Sequence, residues 1–138
     1  MTTLLHTTLP AWHQIVESRD TRALAALVAA DAVFYSPVVH TPQRGKPLMV
    51  AYLSAAFQVF FNDSFRYVRE VVTGNDAVLE FEMEIDGLAV NGVDMIRCND
   101  DGLIVEFKVM IRPLKAINLI HQKMGEMLQR EAASRSGA

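Results

Sequence analysis

The chain of 138 residues has one cysteine, five prolines, seven glycines and a charged fraction of only 21%. Each scarcity closes off a class of protein. A lone Cys98 cannot close an intrachain disulfide, so the fold must stand on its core, and a reducing cytoplasm is the expected location. Thirteen Lys and Arg against sixteen Asp and Glu give a net charge of −3. That balance leaves no basic footprint for nucleic acid or an anionic lipid surface. The longest unbroken apolar run, Ala23 to Ala30, is eight residues, against the ~20 that a membrane-spanning helix requires. The opening MTTLLHTTLP has no basic start and no apolar stretch of secretory length. No pair of His or Cys stands at metal-ligand spacing, and Asn99-Asp100-Asp101-Gly102 lacks the spaced acidic ligands of a calcium loop. Neither a metal nor a cofactor is expected.

What is abundant is apolar side chain, at 51% of the chain, more than a minimal core of this size requires. The length is that of one domain, since ~100–200 residues is the usual allotment. No repeat or Pro/Gly/Ser linker divides residues 1–138. Only the small polar tail Ser134 to Ala138 reads as disordered.

The apolar period shifts along the chain. Residues 9 to 31 read as two short helices, with Pro10 in the first turn, Trp12, Ile15 and Val16 on one stripe, and Leu24, Leu27 and Val28 on the next. Val33 to Ser36 is β-rich and stops at Pro37. His40 to Lys46 is a loop, after which Pro47 can open a third helix whose Leu53 and Phe57 share a face. Four β-rich runs follow: Phe65 to Thr73, Ala77 to Asp86, Leu88 to Cys98 and Leu103 to Pro113. The turn material between them predicts an antiparallel meander. Leu79, Phe81, Met83 and Ile85 alternate with Glu80, Glu82 and Glu84, so one sheet face is apolar. In the last run Leu103, Val105, Phe107, Val109 and Ile111 are expected to point inward, opposite Ile104 and Met110. Beyond Pro113, Ile117, Ile120 and Met124 recur at helical spacing. The sum is an α+β fold: N-terminal helices covering the apolar face of a curved antiparallel sheet, with a C-terminal helix. Between helices and sheet lies the space for a ligand.

One polar residue interrupts the apolar side of the third long strand. Asp94 shares a face with Ile96 and Cys98, where desolvation would raise its carboxyl pKa and could keep it protonated as a hydrogen-bond donor. His40 lies in the loop at what would be the pocket rim, where an imidazole can serve as acid or base. His6 and His121 carry no motif.

The run Ala30-Asp31-Ala32-Val33-Phe34-Tyr35-Ser36-Pro37 followed by Gly45, together with GVDMIRCNDDGLI, resembles the signature regions of the nuclear transport factor 2-like superfamily. Its nearest branch is that of ketosteroid isomerases and SnoaL-type polyketide cyclases. The resemblance covers roughly residues 9 to 113 and implies a cone-shaped roll. It places the family's protonated Asp donor on Asp94, its Asp base on Ser36 and its Tyr donor on Trp12. It also puts Leu53, Phe57, Leu79, Phe81, Phe107 and Val109 on the cavity wall. With Phe34, these would line an apolar pocket whose polar points are Ser36, Asp94 and the Trp12 indole N–H.

A serine hydroxyl cannot take a carbon acid's proton near neutral pH. Authentic ketosteroid isomerisation is therefore not expected. Three readings stay open: an isomerase or cyclase acting on a small hydrophobic carbonyl or polycyclic compound through Asp94 and His40, a non-catalytic binder of such a molecule, and a dimeric interaction module. The outer sheet face, with Tyr35, Met95, Ile104 and Met110 among mixed charges, is the surface that forms a two-fold dimer in the resembling families. A homodimer is the expectation.

Overall fold

The structure is a computed structural model that describes residues 4–135. A single π-helical turn, Leu4–Thr8, leads into α1, Leu9–Ser18. Pro10 sits in the first turn of α1, where its missing N–H costs nothing. The helix ends on Arg19 in the left-handed conformation, φ 63°. The Arg19 guanidinium then reaches the carbonyls of Phe61 and Asn62, tying the end of α1 to the far connection. A short 3-10 turn, Thr21–Ala23, is capped by Asp20, which accepts the Arg22 N–H, and leads into the four residues of α2, Leu24–Leu27.

There the chain becomes β1, Val28–Tyr35, so the second helix stops four residues short of the expected end at 31. Alanines favour helix locally, but Val28, Val33, Phe34 and Tyr35 pair in parallel with the last strand, and that pairing overrides propensity. The two residues of β2, Gln43–Arg44, fold back on β1, and α3, Lys46–Phe60, follows. The meander is β3, Arg66–Thr73, β4, Asp76–Ile85, β5, Leu88–Cys98, and β6, Ile104–Arg112. The sheet order is β2-β1-β6-β5-β4-β3, so the expected four-stranded meander is extended to six strands. α4, Leu114–Arg135, closes the fold. The tail read as disordered from Ser134 is therefore helical through Arg135, and residues 136–138 lie outside the described residues. No helix among the described residues is long and apolar enough to cross a membrane.

Two bulges decide which side chains face inward. On β6, Glu106 pairs with Arg97 but Ile104 pairs with Cys98, leaving Val105 as the extra residue. An inserted residue reverses the alternation on one side of it. Ile104 is thereby turned into the core, fully buried, which corrects its expected place on the outer face. Leu103 and Val105 are only half-buried. On β3, Tyr67 pairs with Phe81 while Arg69 pairs with Glu80, so Val68 is the extra residue. Tyr67 points inward and Val68 is exposed.

The interior has two apolar clusters. One gathers Trp12, Phe34, Leu53, Phe57, Leu79, Ile96 and Phe107 under α1 and α3; the other gathers Phe60, Phe81, Met83, Ile85, Val90, Ala116 and Ile120 under α4. Gly92 on β5 joins them, because the Phe81 ring of the neighbouring strand lies where its side chain would be. A Cβ there would stand 2.6 Å from Phe81 Cζ and 2.5 Å from the Met110 carbonyl oxygen. On the outer face the charges pair across strands, Arg66 with Glu82 at 2.8 Å, Arg69 with Glu80 at 3.4 Å and Arg97 with Asp76 at 2.8 Å. Exposed pairs like these are worth at most about 1 kcal/mol each. They hold the surface rather than the core.

Candidate functional site

A cavity of about 160 Å³ opens where the two clusters meet. The wall is mostly aromatic and aliphatic. α1 contributes Trp12, β1 Phe34, α3 Leu53, Phe57 and Phe60, and the sheet Phe81, Phe107 and Val109. Trp12 is wedged between Phe57 and Phe107, with ring centroids 5.6 and 5.0 Å away, spacings at which tilted aromatic pairs attract. The volume matches an apolar void that takes one six-membered ring. α4 supplies the far side with Ile120, His121, Met124, Gly125 and Leu128. These residues recur on one helical face.

Asp94 reaches this cavity from the middle of β5 and is only 6% exposed. Its cross-strand neighbours are Leu79 and Val109. Burial among them pushes its carboxyl up to about 7, opposed by a hydrogen bond from Tyr67. Tyr67 Oη donates to Asp94 Oδ2 at 2.6 Å, and Trp12 Nε1 donates to Tyr67 Oη at 3.1 Å. The tyrosine's own pKa is raised, first by burial and then by the Asp94 charge. A neutral phenol thus holds one carboxyl oxygen, and Oδ1 has no hydrogen-bond partner among the described residues.

Tyr67 is the residue that sequence reasoning missed. The resemblance carried the tyrosine role to Trp12, counted along α1. In the fold the indole N–H is spent on Tyr67, so it is not a free polar point of the pocket. The alternation of Phe65 and Tyr67 was the available signal, but only the bulge at Val68 shows that this edge-strand tyrosine turns toward Asp94.

The other expected residues divide. Trp12, Phe34, Ser36, Leu53, Phe57, Phe81, Phe107 and Val109 all line the cavity with Asp94. Leu79 does not; it is fully buried within the first cluster, behind the wall. His40 does not either. The segment after β1 presents Pro37, Val38 and Val39 to the cavity, while His40 opens on a separate groove with Tyr35, Pro42, Lys108 and Met110. Ser36 Oγ accepts the backbone N–H groups of Val38 at 3.1 Å and Val39 at 3.3 Å. Its hydroxyl therefore stabilises the turn and keeps a proton to donate, in the reverse of a base's role. Among the described residues no group of three or more His, Cys, Asp or Glu could hold a metal ion.

A curved sheet covered by helices, with one buried carboxyl on an apolar cavity, has the fold of the nuclear transport factor 2-like, or cystatin-like, class. Within that class the chain belongs to the SnoaL-like domain family, whose model matches residues 9–107. No curated protein matches the chain. Among solved structures it is similar to a steroid delta-isomerase from Pseudomonas aeruginosa. The identity is 39%, with 95% of this chain and 93% of that one covered and a TM-score of 0.81. It is also similar to an uncharacterised protein with a cystatin-like fold from Silicibacter pomeroyi, at 32% identity over 94% of this chain and 91% of that one, TM-score 0.85. An NTF2-like protein of unknown function from Mesorhizobium loti, at 23% identity over 77% of this chain and 88% of that one, TM-score 0.67, shares the fold.

Proposed function

We propose that the cavity binds a small hydrophobic carbonyl compound and shifts its double bond by way of an enolate, with Asp94 as protonated donor to the developing oxyanion. The observation that carries this reading is the buried carboxyl held on Oδ2 by Tyr67, with its pKa raised to about 7. A neutral carboxylic acid in an apolar, pre-formed site stabilises charge that appears only in the transition state, which is the kind of interaction that raises turnover. A single ring fits the enclosed volume, and a polycyclic substrate would extend past Val39 and α4. The likeness to a steroid delta-isomerase supports this chemistry. Ser36, at the position where the resemblance puts the ketosteroid isomerase family's Asp base, argues against that family's mechanism being copied unchanged. The lone, buried Cys98 suits a reducing cytoplasm.

The test is isomerisation of cyclohex-3-en-1-one, followed by the ultraviolet absorbance of the conjugated enone, beside binding of phenol followed by the NMR shift of the Trp12 indole. Asp94→Asn should keep phenol binding within a few-fold and lower turnover by about 10²-fold or more. A wild-type protein that binds neither probe would overturn the reading. A second reading, binding without turnover, is favoured by the turn-bound Ser36 hydroxyl, and wild-type binding with no isomerisation would select it.

The outer sheet face is proposed as a homodimer contact, on the strength of Met110, 51% exposed, beside Tyr35 and Lys108. Sedimentation of the wild type and Met110→Lys at micromolar concentration tests it; a wild-type monomer would rule it out.

A further inference from the structure

We propose that His121 of α4 is the catalytic base of this site, taking the place that Ser36 cannot fill. The assignment rests on the reading of Asp94 as oxyanion donor. The cavity wall carries three ordinarily titratable side chains among the described residues, Tyr52, Asp94 and His121. Asp94 is the protonated donor of that reading and so cannot also be the base, and a phenol is a poor proton acceptor near neutral pH. An imidazole can accept a proton and return it there.

The helix around His121 is built for such a role. Ile120, one position earlier, is 1% exposed and anchors α4 on the second cluster together with Ala116. Lys123 pairs with Asp86 of the β4–β5 turn at 3.1 Å. The backbone that carries His121 is thus fixed, and the residue lines the cavity while remaining exposed to solvent. One turn later stands Gly125, a costly choice inside a helix relative to alanine. Side chains on a helix lean toward its N-terminus, so a residue at 125 would cover the turn that holds His121. A Cβ there would meet nothing within 4 Å; packing does not call for glycine, and the gap leaves the imidazole uncovered.

In the step assigned to it, the neutral imidazole takes a proton from the carbon between carbonyl and double bond of a β,γ-unsaturated ketone. The C–H electron pair moves into the dienolate, whose oxygen accepts a hydrogen bond from the Asp94 carboxyl. The imidazolium then returns the proton to the γ carbon, giving the conjugated ketone and restoring both side chains.

The experiment follows α-proton exchange and isomerisation of cyclohex-3-en-1-one in D2O by NMR, with phenol binding measured on the same samples. His121→Ala should lose about 10²-fold or more in rate, keep phenol binding within a few-fold, and regain rate when free imidazole is added. His121→Ala combined with Ser36→Asp should regain rate without imidazole. An unchanged rate in His121→Ala, or a loss that imidazole does not relieve and Ser36→Asp does not repair, would overturn the assignment. A wild type that binds phenol without exchanging protons overturns it too. Failure of the Asp94 reading is separable, since it shows as an Asp94→Asn variant that exchanges and isomerises at the wild-type rate under the same conditions.

Discussion

Asp94→Asn, followed by stability against pH, isolates the carboxyl on which the site depends. Burial holds this group at about 7 in the folded chain, against 3.8 for an ordinary aspartate. The folded state therefore binds the proton more tightly than the unfolded chain, and the resulting stabilisation is complete below about pH 4 and lost as pH climbs through 7. At ~1.4 kcal/mol for each pH step between the two values, the loss approaches ~4 kcal/mol by pH 8. Roughly 2.5 kcal/mol of it falls between pH 5 and pH 8. Asparagine keeps the shape and an oxygen for the Tyr67 hydroxyl, and it does not titrate. Urea unfolding of both proteins at pH 5, 6, 7 and 8 should show the wild type losing that ~2.5 kcal/mol relative to the variant. Subtracting the curves cancels carboxylates that act the opposite way, such as Asp20, lowered to about 2 by its hydrogen bonds with Arg22. Parallel curves from pH 5 to pH 8 would refute the reasoning, because Asp94 would then carry the same charge in both states throughout.

Three further perturbations follow from the packing. Tyr67→Phe leaves Asp94 Oδ2 without its donor and the Trp12 N–H without its acceptor, at a cost of about 1–3 kcal/mol. Because the Tyr67 hydrogen bond lowers the Asp94 pKa, carboxyl 13C NMR should show the group titrating higher in this variant, and an unmoved titration would contradict the geometry. Gly92→Ala drives a Cβ to 2.5 Å from the Met110 carbonyl, and thermal unfolding should report a loss of ~2 kcal/mol or more. Gly125→Ala meets open space and should raise stability by about 0.5–1 kcal/mol, so a destabilised variant would show that something packs on that turn.

The relation between pattern and fold differs from element to element. The alternation in β4 and β5 was legible because both strands pair along their whole length without a bulge on their shared edge. Asp94 on an apolar strand face announced itself for the same reason. In β6 the same alternation misled at Ile104, since the extra Val105 reverses the phase and no local signal marks a bulge. β1 hid its first residues inside an alanine-rich stretch because its partner, β6, lies more than seventy positions away.

The sequence by itself determined that a carboxyl would sit among apolar side chains and that aromatic residues would converge around it, because burial periodicity is written locally, residue by residue. Tertiary structure alone decided who holds that carboxyl and what shares its cavity. Tyr67 is brought to Asp94 by an edge-strand bulge, His40 is turned away by the path of a loop, and His121 is carried in by a helix whose docking angle no periodicity records. These are contacts between elements, set by strand register and by the packing of helices on a curved sheet. They become visible only when the chain is folded.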